Sequence, residues 1–254
     1  YAEGRWLLPV YAGDTLRSQS TVIGLKENSN RQSGVVYVRT QGLNQRGDAV
    51  LDYVRWVMVK KRDHAAAAPE AVVPELAKVV EPAQLVVPQG LDFTRYDFAQ
   101  AGEPHRLGDY AVGEVIDHVD GVTVEEAEHM LATRLWQNTA KVHFDATNRA
   151  DGKRLIYGGH VISLARALSF NGLANAQMIV ALNAGAHANP CFAGDTVRAW
   201  SQVLDTAETA APGVGAIRLR LVATKGKAGA LRGEDGKYLP EVLLDLDYWA
   251  LIPT

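Results

Sequence analysis

The sequence contains two similar stretches that are separated by a constant offset of 181 residues. Pro-Val-Tyr-Ala-Gly-Asp-Thr-Leu-Arg at positions 9–17 matches Pro-Cys-Phe-Ala-Gly-Asp-Thr-Val-Arg at positions 190–198. The same offset also pairs Ser20 with Ser201 and Arg39 with Arg220. Self-similarity at a fixed offset indicates a duplicated structural unit. The chain is therefore expected to fold as two related units that share one order of elements.

Both copies show alternating apolar residues with many β-branched side chains, which is typical of strands in an antiparallel meander. The predicted strands are residues 15–25, 35–40 and 50–60 in the first copy, and 196–204, 216–224 and 241–252 in the second. The second copy also contains a helix that Thr123 and Glu126 open in capping-box spacing, an apolar helix over 161–171 and a strand over 177–184. No counterpart of these helices is found before residue 9, so we expect a further segment to precede Tyr1 in the intact protein.

These patterns divide the chain into three parts. Residues 1–62 are the remaining part of a first unit, and residues 105–254 form a complete second unit. Residues 63–104 contain four consecutive alanines and several prolines without a sustained period, which predicts an extended linker.

Composition narrows the possible partners. The 254 residues are 47% hydrophobic with a formal net charge of −3, and no basic stripe is interleaved with aromatics, so we expect no nucleic-acid partner. No apolar run is long enough to predict a membrane span. The single cysteine, Cys191, excludes an intrachain disulfide framework and favours a cytoplasmic setting. A small molecule is the expected ligand.

The candidate catalytic groups lie between residues 136 and 160. His143 is followed, after a short loop, by the pair Gly158 and Gly159 that opens the apolar helix, and the carboxamide of Asn138 lies five residues before the imidazole. Imidazole titrates nearest to neutral pH, so His143 is the candidate general base. A helix start has free N–H groups and a favourable dipole, which makes the amide of Gly159 the candidate oxyanion donor. Together they could hold a water against an acyl group.

A long apolar helix wrapped by an antiparallel sheet, duplicated in one chain, resembles the MaoC-like enoyl-CoA hydratases. That resemblance implies an α+β, double hot-dog fold in which each unit is a curved antiparallel sheet wrapped around a long helix, with the first unit truncated here. The positions that match the catalytic segment of the family are Asn138, Ala140, Lys141, Val142, His143, Asp145 and Gly159. Asn138 stands where the family has its catalytic Asp, and Ala140-Lys141 replaces its Asn-Pro pair. Longer runs, at 22–31, 51–59 and 154–171, resemble the members that act on mesaconyl-CoA.

The resemblance implies reversible addition of water to the double bond of mesaconyl-CoA, giving β-methylmalyl-CoA. Because Asn138 cannot accept a proton, either His143 performs both proton transfers through one water or Asp145 participates. The substrate carries a carboxylate, for which Arg134 and Arg154 are the candidate cations, and Gly158 and His160 are the candidate neighbours of the acyl group. No metal and no cofactor is expected, since coenzyme A is part of the substrate, and a homo-oligomer is expected because hot-dog units generally pair.

Three other functions stay open on the sequence. A general (R)-specific enoyl-CoA hydratase would use the same groups on a simpler acyl chain. A hot-dog thioesterase would aim a carboxylate at the thioester carbonyl, because one fold supports several chemistries. A catalytically weak acyl-CoA-binding protein is the third, motivated by Asn138.

Overall fold

The protein forms a single nine-stranded antiparallel sheet in a computed structural model that describes residues 1–226 and 229–254. The strands are β1 (Ala2–Trp6), β2 (Arg17–Glu27), β3 (Ser33–Leu43), β4 (Ala49–Lys60), β5 (Val115–Thr123), β6 (Met178–His187), β7 (Thr196–Glu208), β8 (Val214–Lys225) and β9 (Val242–Pro253). Their order across the sheet is β2-β3-β4-β1-β6-β9-β8-β7-β5. The predicted strands are all present, most of them longer than expected.

The duplication is visible in the order of the strands. The two units meet where β1 pairs with β6, through the registers Gly4 to Leu182 and Arg5 to Ala181. From that junction outward, the first unit runs β1-β4-β3-β2 and the second runs β6-β9-β8-β7, with β5 added at the edge. A Cβ on Gly4 would lie 2.8 Å from the Cβ of Leu182, so glycine permits the close approach of the two central strands.

The matching Ala-Gly-Asp triplets form the same turn in both units. In the first unit, the Asp14 amide donates to the Tyr11 carbonyl at 3.0 Å, and the Asp14 carboxylate accepts from the Tyr11 amide at 2.8 Å. Asp195 and Phe192 make the equivalent two bonds at 3.1 and 2.8 Å. The aspartates therefore close turns, as a short side chain after glycine commonly does.

The helices belong mainly to the second unit. They are α1 (Phe98–Ala101), α2 (Glu126–Leu135), α3 (Lys141–Phe144), α4 (Gly158–Leu168) and α5 (Phe170–Leu173), with 3-10 turns at Pro82–Gln84, Leu107–Asp109 and Ala146–Asn148. α4 lies against β5, β7, β8 and β9. Its buried Val161 and Ala165 join one core with Leu219 and Leu246 of the sheet. Among the described helices, none has the length and apolarity needed to cross a membrane.

Two expectations about helix ends were wrong. No capping box opens α2, which begins at Glu126 after Glu125, because Thr123 is the last residue of β5 and its hydroxyl bonds Thr196 across the sheet at 2.8 Å. The apolar helix begins at Gly158, as expected for the glycine pair that opens it, but ends at Leu168. It does not reach residue 171 as a regular helix, because Asn171 and Gly172 have non-helical backbone angles.

Residues 63–104 cross the face of the sheet opposite α4. The Val80 amide donates to the Asn183 side chain at 2.8 Å, and the indole N–H of the buried Trp249 donates to the Val80 carbonyl at 3.0 Å. Val80 and Trp249 belong to a second apolar cluster on that face, which is separate from the α4 core. The segment is thus attached to the sheet by buried contacts, although it contains little regular structure.

Candidate active site

The ring of His143 is oriented by the segment that follows it. His143 lies on the short helix α3, and its Nδ1 is 2.7 Å from the carbonyl oxygen of Leu155. The Leu155 amide in turn donates to the Val142 carbonyl at 3.0 Å, which joins the two segments. A carbonyl oxygen can only accept, so Nδ1 carries the proton in the neutral ring. The lone pair of Nε2 is therefore left to accept a proton.

The amino end of α4 supplies free backbone donors. Gly158 and Gly159 are its first two residues, and within the described chain neither amide N–H has a hydrogen-bond acceptor. The helix dipole favours negative charge at this end. A Cβ on Gly158 would lie 2.3 Å from the His187 ring, and one on Gly159 would lie 2.4 Å from the Tyr157 ring. Glycine at both positions therefore lets the His187 and Tyr157 rings pack closely against the start of the helix.

A cavity of about 390 Å³ is lined by His143 and Gly158, whereas Gly159 is not among its lining residues. Its walls include His143, Gly158 and the first buried turn of α4 at Val161, and the opposite side is formed by residues 187–191 at and beyond the end of β6. The structure therefore places the candidate base and the first residue of α4 at one open cavity, and the catalytic roles of His143 and Gly159 stay predictions. It adds His187, to which the sequence assigned no role.

A buried histidine supports the wall behind the cavity. His129 on α2 is fully buried, and its Nε2 accepts the Tyr157 amide at 3.1 Å. Its ring stacks on that of Tyr157, with the centroids 6.0 Å apart. Burial, followed by the nearby His160 and His143, lowers the pKa of His129 to about 4. His129 is therefore a neutral acceptor that fixes the residue before α4.

His160 lies against the same cluster. It is buried, with its ring centroid 6.0 Å from that of His129 and its Nε2 3.4 Å from a carboxylate oxygen of Glu128. Burial lowers the pKa of His160, and Glu128 opposes that effect. His160 does not line the cavity with His143, so a direct contact with substrate stays a prediction.

Asn138 and Asp145 lie outside the lining of the cavity. The Asn138 side-chain oxygen accepts the Ala140 amide at 3.4 Å, and the side chain is half-buried after α2. Asp145 is exposed and accepts both the amide and the hydroxyl of Thr147, at 2.9 and 2.7 Å. Those hydrogen bonds lower the pKa of the Asp145 carboxyl. Asp145 therefore caps a local turn, and its part in chemistry stays a prediction.

Neither candidate cation lines the cavity. Arg154 forms an ion pair with Glu126 of α2. Arg134 is exposed near the end of α2 and makes no ion pair within the described residues. Over the same part of the chain, no three His, Cys, Asp or Glu side chains are grouped to hold a metal ion.

Sequence reasoning missed three neighbours of His143, namely His129, Tyr157 and His187. One available signal was the internal repeat, since the offset of 181 pairs His187 with Trp6. A histidine at a position that is a tryptophan in the other copy indicates that the two units differ in chemistry there. For His129, no signal in the sequence distinguishes it from an ordinary helix residue.

Comparison with known proteins identifies close relatives. A family model described as mesaconyl-CoA hydratase matches residues 5–231. A mesaconyl-CoA hydratase of Cereibacter sphaeroides is 79% identical over 255 residues, which cover 100% of this chain and 74% of that protein. A β-methylmalyl-CoA dehydratase of Chloroflexus aurantiacus is 53% identical over 262 residues, with the same coverage of 100% and 74%.

Solved structures support the architecture. A crystal structure from Chloroflexus aurantiacus, described as a MaoC domain protein dehydratase, superposes with a TM-score of 0.95 at 52% identity, covering 99% of this chain and 74% of that one. A Mycobacterium tuberculosis protein with a double hot-dog fold gives a TM-score of 0.68 at 25% identity, with coverage of 98% and 72%. The double hot-dog architecture expected from the resemblance is confirmed.

Proposed function

The chain belongs to the mesaconyl-CoA hydratase family, and we propose that it adds water reversibly to the double bond of mesaconyl-CoA to give β-methylmalyl-CoA. The reaction makes it a hydro-lyase. The observation that carries the proposal is the cavity shared by His143 and the start of α4. It offers a proton acceptor, His143, and the uncommitted N–H of Gly158 to one acyl group.

In the proposed mechanism, His143 acts as the general base. Nε2 accepts a proton from a water while the oxygen of that water attacks the β-carbon of the enoyl thioester. The Leu155 carbonyl accepts from Nδ1, which stabilises the imidazolium that forms. Negative charge develops on the thioester oxygen and is stabilised by the start of α4, where the N–H of Gly158 faces the cavity and the contact from Gly159 stays a prediction. His143 then returns the proton to the α-carbon, so that one ring completes both transfers.

In this mechanism Asn138 transfers no proton, which agrees with the fact that a carboxamide cannot act as a general base. Asn138 lies outside the lining of the cavity, so its orientation of the water stays a prediction, whereas Asp145 is proposed to fix the loop after α3. The substrate carboxylate needs its own partner. Arg134 and Arg154 stay predictions for that contact, although Glu126 already neutralises Arg154.

The test is the loss of enoyl-thioester absorbance with mesaconyl-CoA, measured for the wild type and for His143→Ala. Removal of a general base typically lowers the rate by about 10²- to 10⁴-fold, and we expect a loss in that range. His64→Ala is the matched control, because His64 is exposed in the linker segment, far along the chain from α3. Circular dichroism and unfolding curves should show that both variants fold.

The competing functions give different results in the same assay. Release of free CoA in place of hydration would indicate a thioesterase, and a preference for crotonyl-CoA would indicate a general enoyl-CoA hydratase. An absence of turnover with either thioester would favour an acyl-CoA-binding protein. Full activity of His143→Ala would refute the role of His143 without affecting the family assignment.

The expected cellular setting forms a separate part of the proposal. A cytoplasmic location is supported by the single, buried Cys191, which needs no oxidising compartment. Association into a homo-oligomer is supported by the general pairing of hot-dog units. Analytical ultracentrifugation of the intact protein would test the second point, because a monomeric species alone would contradict it.

A further inference from the structure

The proposed substrate carries a free carboxylate that the cavity must also bind. In mesaconyl-CoA, a free carboxylate is attached to the carbon that receives the hydroxyl group. That carboxylate must therefore enter the same cavity as the attacking water and cannot extend to a remote surface. Removing a carboxylate from water without new hydrogen bonds is costly, so the wall must offer a donor.

Few donors are available in the wall. Within the described lining there is no Lys or Arg, and the polar side chains are His143, His187, Asn189 and Cys191. The Asn189 amide group already donates to two backbone carbonyls, each at 2.8 Å. Burial raises the pKa of the Cys191 thiol to about 11, and a thiol is a weak donor. Since His143 is needed for the water, His187 is the uncommitted side chain.

His187 is an exposed residue whose ring packs against Gly158 and Tyr1 and makes no hydrogen bond within the described residues. It is the last residue of β6, and its ring lies directly over Gly158, where a Cβ would come within 2.3 Å of Cε1 and Nε2. The ring of Tyr1 meets it edge-on, with the centroids 6.2 Å apart. No described residue forms a hydrogen bond with its ring nitrogens. The ring is therefore placed between the first turn of α4 and the first unit with its polar atoms free.

We propose that His187 donates a hydrogen bond to the free carboxylate of the acyl group and so selects enoyl-CoA thioesters that carry one. The inference rests on the proposed function, because it assumes that the acyl group lies beside His143. The adjacent start of α4 reinforces the site, since its dipole favours an anion there. A neutral imidazole still has one N–H to donate, so the bond does not require a charged ring.

The test uses a pair of ligands that cannot be hydrated. Succinyl-CoA and butyryl-CoA both lack a double bond and differ in the carboxylate that replaces the terminal methyl group. Their affinities for the intact protein are measured by calorimetry for the wild type, His187→Leu, His187→Gln and the exposed control His64→Leu. Leucine removes the donor while filling the space, and glutamine restores a donor of similar reach.

We expect the wild type to bind succinyl-CoA more tightly than butyryl-CoA. His187→Leu should lose about 10- to 100-fold in affinity for succinyl-CoA, which is the size of effect expected for a hydrogen bond to a charged group. Butyryl-CoA should bind within about twofold in both proteins, and His187→Gln should recover part of the loss. Equal losses for the two ligands, or no loss, would overturn the proposal. Because no turnover is involved, this result is independent of whether mesaconyl-CoA is hydrated.

Discussion

Acid should destabilise the protein partly through one residue, His129, and the substitution His129→Gln should remove that part. His129 is fully buried, and its Nε2 must stay unprotonated to accept the Tyr157 amide at 3.1 Å. Its Nδ1 has no hydrogen-bond partner among the described residues. A second proton would convert the acceptor into a donor that faces another donor, and it would place a charge beside His160 and His143.

The magnitude follows from the lowered pKa. Burial holds the pKa of His129 at about 4, against an ordinary value of 6.5. As pH falls below 6.5 the unfolded chain binds this proton and the folded protein does not, so the free energy of unfolding decreases until pH reaches about 4. At 1.36 kcal/mol per pH unit, this residue alone should cost about 2 kcal/mol of stability at pH 5, and about 3 kcal/mol below pH 4.

The assay is urea unfolding at pH 7.5 and pH 5.0. A glutamine oxygen can accept the Tyr157 amide but does not titrate, so the loss of stability between the two pH values should be about 2 kcal/mol smaller in His129→Gln than in the wild type. Other buried histidines contribute equally to both proteins and cancel. His105→Gln, at an exposed position, is the control and should behave as the wild type. Equal losses in the wild type and His129→Gln would refute the reasoning.

Two further substitutions test the cavity wall and the attached linker. Gly158→Ala should lower kcat/KM for mesaconyl-CoA by about 10²-fold, because the new methyl group would displace the His187 ring by more than about 1 Å. Gly108→Ala is the control and should leave kcat/KM unchanged, because a Cβ at that position meets no atom within 4 Å. Activity of Gly158→Ala within twofold of wild type would contradict this. Trp249→Phe should cost about 2 kcal/mol in urea unfolding, since it leaves the buried Val80 carbonyl without its donor; a cost near zero would show that water or another donor replaces the indole.

The repeat made much of the fold predictable. Residues that match at the offset of 181 form the same turns, and the apolar, β-branched pattern located the strands even though their burial differs, with β2 mostly exposed and β9 mostly buried on both faces. The prediction that a helix starts at Thr123 was wrong for a physical reason. Its hydroxyl bonds Thr196 on the neighbouring strand, and no local pattern indicates that a side chain will find a partner so distant in sequence. Tertiary pairing therefore outweighed the capping motif.

The site was only partly predictable, because its members are brought together by the sheet. His143 and Gly158 are close in sequence, and both were expected at one site. His187 reaches Gly158 only because β6 runs through the centre of the sheet and ends beside the start of α4. His129 reaches Tyr157 because α2 packs behind the same segment. Contacts of this kind depend on topology, which spacing along the chain does not encode.

The two units share a backbone arrangement but differ in the chemistry of equivalent positions. The wall formed by residues 187–191 corresponds, at the offset of 181, to residues 6–10, and His187 and Asn189 are matched by Trp6 and Leu8. Residues 6–10 line a cavity of about 220 Å³ whose other walls include Pro88 and Met178. None of the lining side chains in that cavity titrates. The duplicated wall thus presents polar and titratable side chains in the second unit and exposed apolar side chains in the first, so a shared backbone arrangement does not fix the side-chain chemistry of equivalent positions.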